Sequence, residues 1–228
     1  MVKWSKICGV LILSLMLGTM GGCRKDTSTV SEVVEEIKTT EVSDTKDDKL
    51  DMDDVILQVG DSAVSYREVL FYVYQAKRNY EDELGPQVWD VALKGGDSFE
   101  SYAKEELLRQ LTEMHIICEQ AKKEQITLSD SENAEAENKA DQLLADATSE
   151  EIEKYGFLKE SLEDIFKENA IAKKMYEKVI LSEEPNIDEA TVEKSKSELF
   201  EDAYTEWSKQ YSAEVSVKLW KKIGIKED

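Results

Sequence analysis

The chain has 228 residues, of which 29 are basic and 50 are acidic, so its formal net charge at pH 7 is −21. This balance argues against a nucleic-acid-binding surface, which needs clustered Lys and Arg. A single histidine excludes any site that needs two imidazoles, and ten glycines with two prolines argue against a turn-rich β-sandwich. The 41% of hydrophobic residues can form a core, so we expect most of the chain to fold.

The first 22 residues resemble a bacterial lipoprotein signal peptide. Lys3 and Lys6 form a basic start, and the apolar run over residues 7–17 is too short to span a bilayer. Small residues then precede Cys23. In lipoproteins the signal peptide (here 1–22) is removed and the cysteine thiol is acylated with chains such as palmitate, which predicts a lipid anchor on Cys23. The alternative is a plain secretory signal with an incidental cysteine.

Residues 23–54 are predicted to be a flexible acidic tether that follows the anchor. They contain no aromatic residue and are rich in Ser, Thr, Asp, Glu and Lys, so they cannot bury enough apolar surface to offset their conformational entropy. The folded body is then residues 55–228, held outside the cytoplasm at the membrane. Only Cys118 remains in this body, which excludes an internal disulfide.

The body begins with a predicted β-hairpin. The segment VILQV has the alternation of a strand with Val55, Leu57 and Val59 on one face. Gly60 opens a two-residue turn, and residues 63–64 form a short return strand.

A third strand is predicted at the other end of the body. In residues 214–220, Val215, Val217 and Leu219 alternate with polar residues. An isolated hairpin is marginally stable in water, so we expect this segment to pair with the first strand, Val55–Val59. That pairing would join the two ends of the body.

Between these strands the pattern is helical. Ser65 and Glu68 predict a capping box for the first helix, which ends at Gly85. The remaining helices are predicted over residues 98–124, 129–147, 149–155, 158–181 and 187–211. The fold class is therefore mainly α, with long amphipathic helices and a small antiparallel β element.

No residue pattern predicts chemistry. His115 is interpreted as a partly exposed or satisfied core histidine, and Cys118 as a small core residue. The acidic runs at 132–137 and 149–153 lack the spacing and central glycine of a calcium loop, so they are interpreted as solvated helix faces. We therefore expect no catalytic residue, no metal site and no cofactor.

Three segments together resemble a known family. The hairpin VILQVGDSAVS, the capped helix YREVLFYVYQAK and the helix SFESYAKEELLRQLTEMHIICEQAKKEQITLSD are similar to the N-terminal chaperone domain of the PrsA and SurA foldases. The ending YTEWSKQYSAEVSVKLWKKI is similar to the closing helix and strand of that family. The resemblance covers most of residues 55–182 and 198–223, and implies a SurA- or trigger-factor-like helical fold.

One part of that family's pattern is missing. Its members carry parvulin prolyl isomerase domains between the two regions, whereas only residues 183–197 separate them here. The resemblance therefore implies a chaperone that binds unfolded or exported polypeptides without nucleotide and without isomerase activity. The aromatic residues that would bind such clients are Phe71, Tyr72, Tyr74 and Trp89.

Three alternatives stay open. A helix that is hydrophobic over a wide arc is usually deeply buried, so burial accounts for the aromatic residues of the first helix without a client groove. The same fold could serve a scaffold lipoprotein that binds one folded envelope partner. An enzyme acting on the envelope would require two facing carboxylates with perturbed pKa values, whose positions in space do not follow from the sequence.

Overall fold

The computed structural model describes residues 38–39, 50–93, 95–181 and 189–226. Within these ranges the protein is mainly helical with a small sheet, which confirms the predicted fold class. The predicted signal peptide and the acylation site Cys23 lie outside the described residues, as does most of the predicted tether.

The elements follow the predicted order. The helices are α1 Tyr66–Leu84, α2 Phe99–Lys123, α3 Asp130–Asp146, α4 Ser149–Tyr155, α5 Lys159–Leu181, α6 Glu189–Ser208 and α7 Val217–Trp220, with a 3₁₀ helix at Pro86–Asp90. The strands are β1 Lys38–Thr39, β2 Val55–Val59, β3 Ser62–Ser65 and β4 Ala213–Val215. Gly85 ends α1, and Gly156 ends α4 in the left-handed conformation with φ 61°.

The sheet joins the two ends of the body as predicted. Its strand order is β1-β4-β2-β3. Strand β2 pairs with β3 across the turn at Gly60, and it pairs antiparallel with β4, where Leu57 lies opposite Val215 and Val59 opposite Ala213. The C-terminal strand therefore adds the third strand that an isolated hairpin needs.

The predicted length of the C-terminal strand is wrong. Strand β4 ends at Val215, and the N–H of Ser216 donates to the carbonyl of Ile56 at 2.9 Å as the last bond to β2. The chain then forms the helical turn α7, in which the N–H of Trp220 donates to the carbonyl of Ser216. Val217 thus begins a helix and does not continue the strand alternation.

The predicted inward face of β2 is wrong at its first residue. Val55 is 46% exposed, whereas Ile56 is 1% exposed and Leu57 is fully buried. The pairing of β2 with β3 shifts register between Val55 and Leu57. This bulge breaks the two-residue period, so that Ile56 takes the buried place expected for Val55.

Part of the predicted tether belongs to the folded body. Lys38–Thr39 pairs parallel with β4. The carbonyl of Met52 accepts from the N–H of Arg67 at 2.9 Å, and Leu50 and Met52 pack against the core. The body therefore includes residues before Val55. Strand β4 has an edge that pairs with β1, and backbone N–H groups at the start of α1 donate hydrogen bonds to the preceding segment.

Helix α2 is the centre of the structure. It contacts α1, α5, α6 and β2, while α3 packs along α5. The largest fully buried side chains come from the sheet and from α1, α2 and α5: Ile56, Leu57, Val59, Val64, Val69, Val73, Leu111, Met114, His115, Leu162 and Met175. One member of this set, His115, is polar, and it marks the candidate site below. Among the described residues no helix combines the length and apolar character needed to cross a lipid bilayer.

The Gly156→Ala variant is expected to lose about 1–3 kcal/mol of unfolding free energy. Gly156 has φ 61°, and an added Cβ would lie 2.7 Å from Met52 Sδ and 3.2 Å from Arg67 Nη1. That arginine nitrogen donates to the Gly156 carbonyl at 2.6 Å, so the clash would also disturb this bond. Urea denaturation followed by circular dichroism measures the loss. Gly224→Ala is the matched control, because its nearest neighbour is 3.5 Å away, and equal stability of both variants would contradict the argument.

Candidate functional site

Three of the four predicted client-binding aromatics lie in the core, which corrects their assignment to an exposed groove. Phe71 and Tyr74 are each 3% exposed and Trp89 is 5% exposed. Phe71 packs edge-on against Phe166, and Tyr74 against Tyr155. The alternative of deep burial therefore holds for these residues, because α4 and α5 cover the wide apolar arc of α1.

Tyr72, the fourth, is half-buried and serves as an internal contact. Its hydroxyl donates to Met114 Sδ at 3.1 Å and accepts from Asn169 Nδ2 at 3.3 Å. Burial, followed by the charges of Glu68 and Glu168, raises the pKa of Tyr72 well above its ordinary value. The phenol is therefore neutral and joins α1 to α2 and α5.

The exposed apolar surface lies beside Trp89 instead. Tyr80, Trp89 and Phe99 form a ring cluster with centroids 5.0 to 5.9 Å apart, and the tilted ring of Tyr102 lies at its edge, 6.0 Å from Phe99. Large apolar side chains are exposed around this cluster, which we name the Val91 patch: Leu84 at 50%, Val91 at 45% and Tyr102 at 43%. The N–H of Phe99 donates to the carbonyl of Val91, which holds the two segments together.

A second feature is a buried polar cluster at the junction of α1, α2 and α5. His115 is 1% exposed, and its Nε2 lies 2.8 Å from Glu68 Oε1. Glu68 was predicted to complete a capping box with Ser65. Only half of that box forms: Ser65 Oγ accepts from the Glu68 N–H at 3.2 Å, while the carboxylate of Glu68 turns to His115.

Glu168 on α5 completes this cluster. One ligand atom each from Glu68, His115 and Glu168 lies within 4.8 Å of the other two. Helix α5 is held against α2 at this level, where Cys118 Sγ lies 3.6 Å from the Glu168 carbonyl. We name these three residues the Glu-His-Glu cluster.

Glu168 and His115 hold protons more tightly in this cluster than they would in water. Burial, followed by the charge of Glu68, raises the pKa of Glu168 to about 7, although His115 and Lys122 oppose the shift. Burial alone would lower the pKa of His115, but its hydrogen bond with Glu68 and the charges of Glu68 and Glu168 outweigh this, so the pKa is raised. The cluster can therefore share protons near neutral pH, or bind a cation in their place.

The interpretation of His115 as a partly exposed or satisfied core histidine does not match its environment. It is neither partly exposed nor satisfied, because Nδ1 is buried and has no hydrogen-bond partner among the described residues. Cys118, by contrast, is the buried free thiol that was predicted, and burial raises its pKa.

This cluster was not predicted from the sequence, although α5 carries one signal of it. The buried face of α5 includes Leu162, Ile165, Ala172 and Met175. Continuing the spacing of three and four from Ile165 to Ala172 places Glu168 and Asn169 on that same face. A charged residue within an apolar stripe is a signal for a buried partner, but the partners on α1 and α2 do not follow from the pattern of α5.

No protein-family model, no curated protein and no solved structure matches this chain.

Proposed function

We propose that the protein is a membrane-anchored extracytoplasmic chaperone that binds apolar segments of unfolded or exported polypeptides, without nucleotide and without isomerase activity. The observation that carries the proposal is the Val91 patch. It exposes three large apolar side chains over a supporting ring cluster, and such exposed apolar surface is typical of polypeptide-binding sites. The resemblance to the PrsA and SurA chaperone domain supports the same function.

Charge around the patch selects the client. Three exposed acidic residues lie next to the patch in the chain, Asp82, Glu83 and Asp97, whereas Asp90 is paired with Lys226. An acidic rim attracts apolar segments that are flanked by Lys or Arg, and repels acidic ones. The net charge of −21 also keeps the protein soluble while its apolar surface is exposed.

The Glu-His-Glu cluster does not support a catalytic alternative. Glu68 and Glu168 do face one another, and the pKa of Glu168 is raised to about 7. However, three helices enclose the cluster and His115 is 1% exposed, so a polymeric envelope substrate cannot reach the imidazole. A scaffold function would use the Val91 patch for one folded partner, and the experiment below separates it from chaperone function.

The Val91→Ser/Tyr102→Ser variant is expected to lose most of the protein's ability to suppress aggregation. Both side chains are about half exposed, so their replacement removes apolar contact area for clients with little effect on the core. The assay mixes a chemically unfolded client with a lipid-free form of the protein, residues 24–228, without nucleotide and follows light scattering. Suppression by the unaltered protein near equimolar ratio is the expected baseline.

Leu158→Ser is the matched control, because Leu158 is 48% exposed but lies before α5, outside the patch. It should suppress aggregation as well as the unaltered protein. A pair of labelled peptides with one apolar centre and either Lys or Glu flanks tests the charge argument, and the Lys-flanked peptide should bind more tightly. Absence of suppression for several clients would refute the chaperone proposal and favour a single folded partner.

A further inference from the structure

We propose that the Glu-His-Glu cluster is a binding site for a divalent transition-metal ion, with Zn²⁺ as the best-fitting ion, that ties α1, α2 and α5 together. This site is separate from the Val91 patch, and the proposal does not depend on the chaperone function. Its ligands would be Glu68, His115 and Glu168.

The donor set fits such an ion. Imidazole nitrogen and carboxylate oxygen together are ligands of Zn²⁺, whereas Mg²⁺ and Ca²⁺ favour oxygen alone. In tetrahedral coordination, two ligand atoms that each lie about 2.1 Å from one ion are about 3.4 Å apart. Because the three ligand atoms already lie within 4.8 Å of one another, the most distant pair must close by up to roughly 1.4 Å. Rotation of a Glu side chain provides that movement.

The local charge also favours a cation. Two carboxylates and one imidazole lie together between three helices. The ammonium group of Lys122 is engaged elsewhere, at 2.6 Å from Glu119 Oε1 and 2.8 Å from Ser62 Oγ. A cation bound in the cluster would therefore replace the protons that otherwise balance the two carboxylates.

His115 makes one of the two hydrogen bonds that its ring nitrogens can form. A wholly buried histidine normally satisfies both ring nitrogens, but Nδ1 of His115 has no partner among the described residues. The ring is held only through Nε2, the atom that faces Glu68. An ion bound at Nε2 would take the place of the Nε2 proton that bonds Glu68 and would leave Nδ1 without a partner, so the donor set and its spacing carry the proposal.

The position of the Glu68 carboxylate also supports the metal site. The capping boxes at Ser129/Glu132 and Thr148/Glu151 are complete. In each, the cap hydroxyl accepts from the glutamate N–H and the glutamate carboxylate accepts from the cap N–H. At Ser65 the corresponding carboxylate is directed to His115 instead. The side chain of Glu68 is 12% exposed, which leaves a path for an ion to enter. Three protein ligands would leave at least one coordination position for water.

Because His115 is the only histidine in the chain, nuclear magnetic resonance can test the proposal without signal assignment. The full-length chain, in detergent micelles and stripped with a chelator, is titrated with Zn²⁺ alone while the imidazole ¹⁵N signals are recorded. We expect the Nε2 signal to move to a metal-bound position and to saturate at one Zn²⁺ per chain. We also expect bound Zn²⁺ at about 100 times its Kd to raise Tm by roughly 5–10 °C. An imidazole signal that does not change with excess Zn²⁺ would overturn the proposal.

Carboxylate variants identify the ligands. Glu168→Gln and Glu68→Gln keep the size of the side chain, and each is expected to weaken Zn²⁺ binding about tenfold or more. Glu163→Gln is the matched control on the same helix, because Glu163 pairs with Lys159 and Lys167 on the outer side. Equal Zn²⁺ affinity in all three variants would overturn the proposal and assign the bound ion to surface carboxylates. Thermal unfolding without metal verifies that each variant is folded.

Discussion

The metal-free protein is expected to unfold at a temperature roughly 5–10 °C lower at pH 8 than at pH 5.5. The cause is the Glu-His-Glu cluster, in which the pKa values of Glu168 and His115 are both raised in the folded state. Thermal unfolding in the presence of a chelator, followed by circular dichroism at several pH values, measures the change.

The loss of stability with rising pH follows from proton binding. The pKa of Glu168 is about 7 in the folded protein and near 4.5 in the unfolded chain, so between these values the folded state binds more protons. Stability is therefore highest at the acidic side of this window and is lost as the pH rises through about 7. We expect the loss to be on the order of 2 kcal/mol.

His115 changes stability in the same direction. Its raised pKa contributes stability that is present below the unfolded value and is lost as the pH rises through the folded value. Glu119 and Glu124, whose pKa values are lowered in the folded protein, contribute stability that is lost only at more acidic pH. Burial also raises the pKa of Glu113, which changes stability in the same direction as the cluster, so a variant of Glu168 is needed to assign its share.

Glu168→Gln is expected to remove most of this pH dependence and to be more stable than the unaltered protein at pH 8. The substitution keeps the shape of the side chain but removes a charge that is half-buried beside Glu68. Glu163→Gln should keep the full pH dependence. A Tm that is constant or rises from pH 5.5 to 8 in the unaltered protein would show that the cluster does not bind protons as described.

Replacing two residues of the C-terminal tail, Ile223 and Ile225, by Ala is expected to destabilise the whole body by about 4–8 kcal/mol. Each side chain is 2% exposed. Burial of this kind typically contributes about 2–5 kcal/mol per Ile→Ala change, and a domain has only about 5–15 kcal/mol in total. The double variant should therefore be largely unfolded at moderate temperature.

Polar contacts explain why this short tail is held so firmly. Lys104 Nζ donates to the carbonyls of Trp220 and Ile223. Glu100 Oε1 accepts from the backbone N–H of Ile225 at 2.9 Å and of Lys226 at 3.2 Å. The start of α2 thus fixes the tail after β4, which places both isoleucines in the core.

Urea denaturation of the single and double variants measures these losses, and the two isoleucines are close enough for their effects to be non-additive. Lys221→Ala is the control in the same segment, because Lys221 is exposed, and its effect should stay within about 0.5 kcal/mol. A double variant that loses less than about 1 kcal/mol would show that the tail is not part of the core.

Local signals in the sequence determine most of the secondary structure. Ser129 with Glu132 and Thr148 with Glu151 cap α3 and α4, and Gly156 ends α4, because these residues satisfy or permit the backbone geometry of helix ends by themselves. The Gly60 turn and the pairing of β4 with β2 were likewise predictable, since both depend on short-range alternation and on the need for a third strand.

Tertiary structure decides which apolar and charged side chains are buried. The wide apolar arc of α1 indicates that Phe71 and Tyr74 are apolar contacts, but only the packing of α4 and α5 places them inside. Trp89 lies on the 3₁₀ helix and is buried against Tyr80 and Phe99. The Val91 patch is exposed for the complementary reason, because the C-terminal tail contacts Glu100 and Lys104 at the start of α2 but leaves Val91 and Tyr102 nearly half exposed.

The Glu-His-Glu cluster is the clearest example of side chains that only the tertiary structure brings together. Glu68 and His115 are 47 residues apart in the chain, and Glu168 lies on a third helix. The sequence by itself determines that each residue lies on a helix, and for Glu168 that it lies within an apolar stripe. Their approach depends on how α1, α2 and α5 pack, and the long-range contacts that set this packing carry no local sequence signal. The raised pKa values follow from the shared burial of these charges, which exists only in the folded structure.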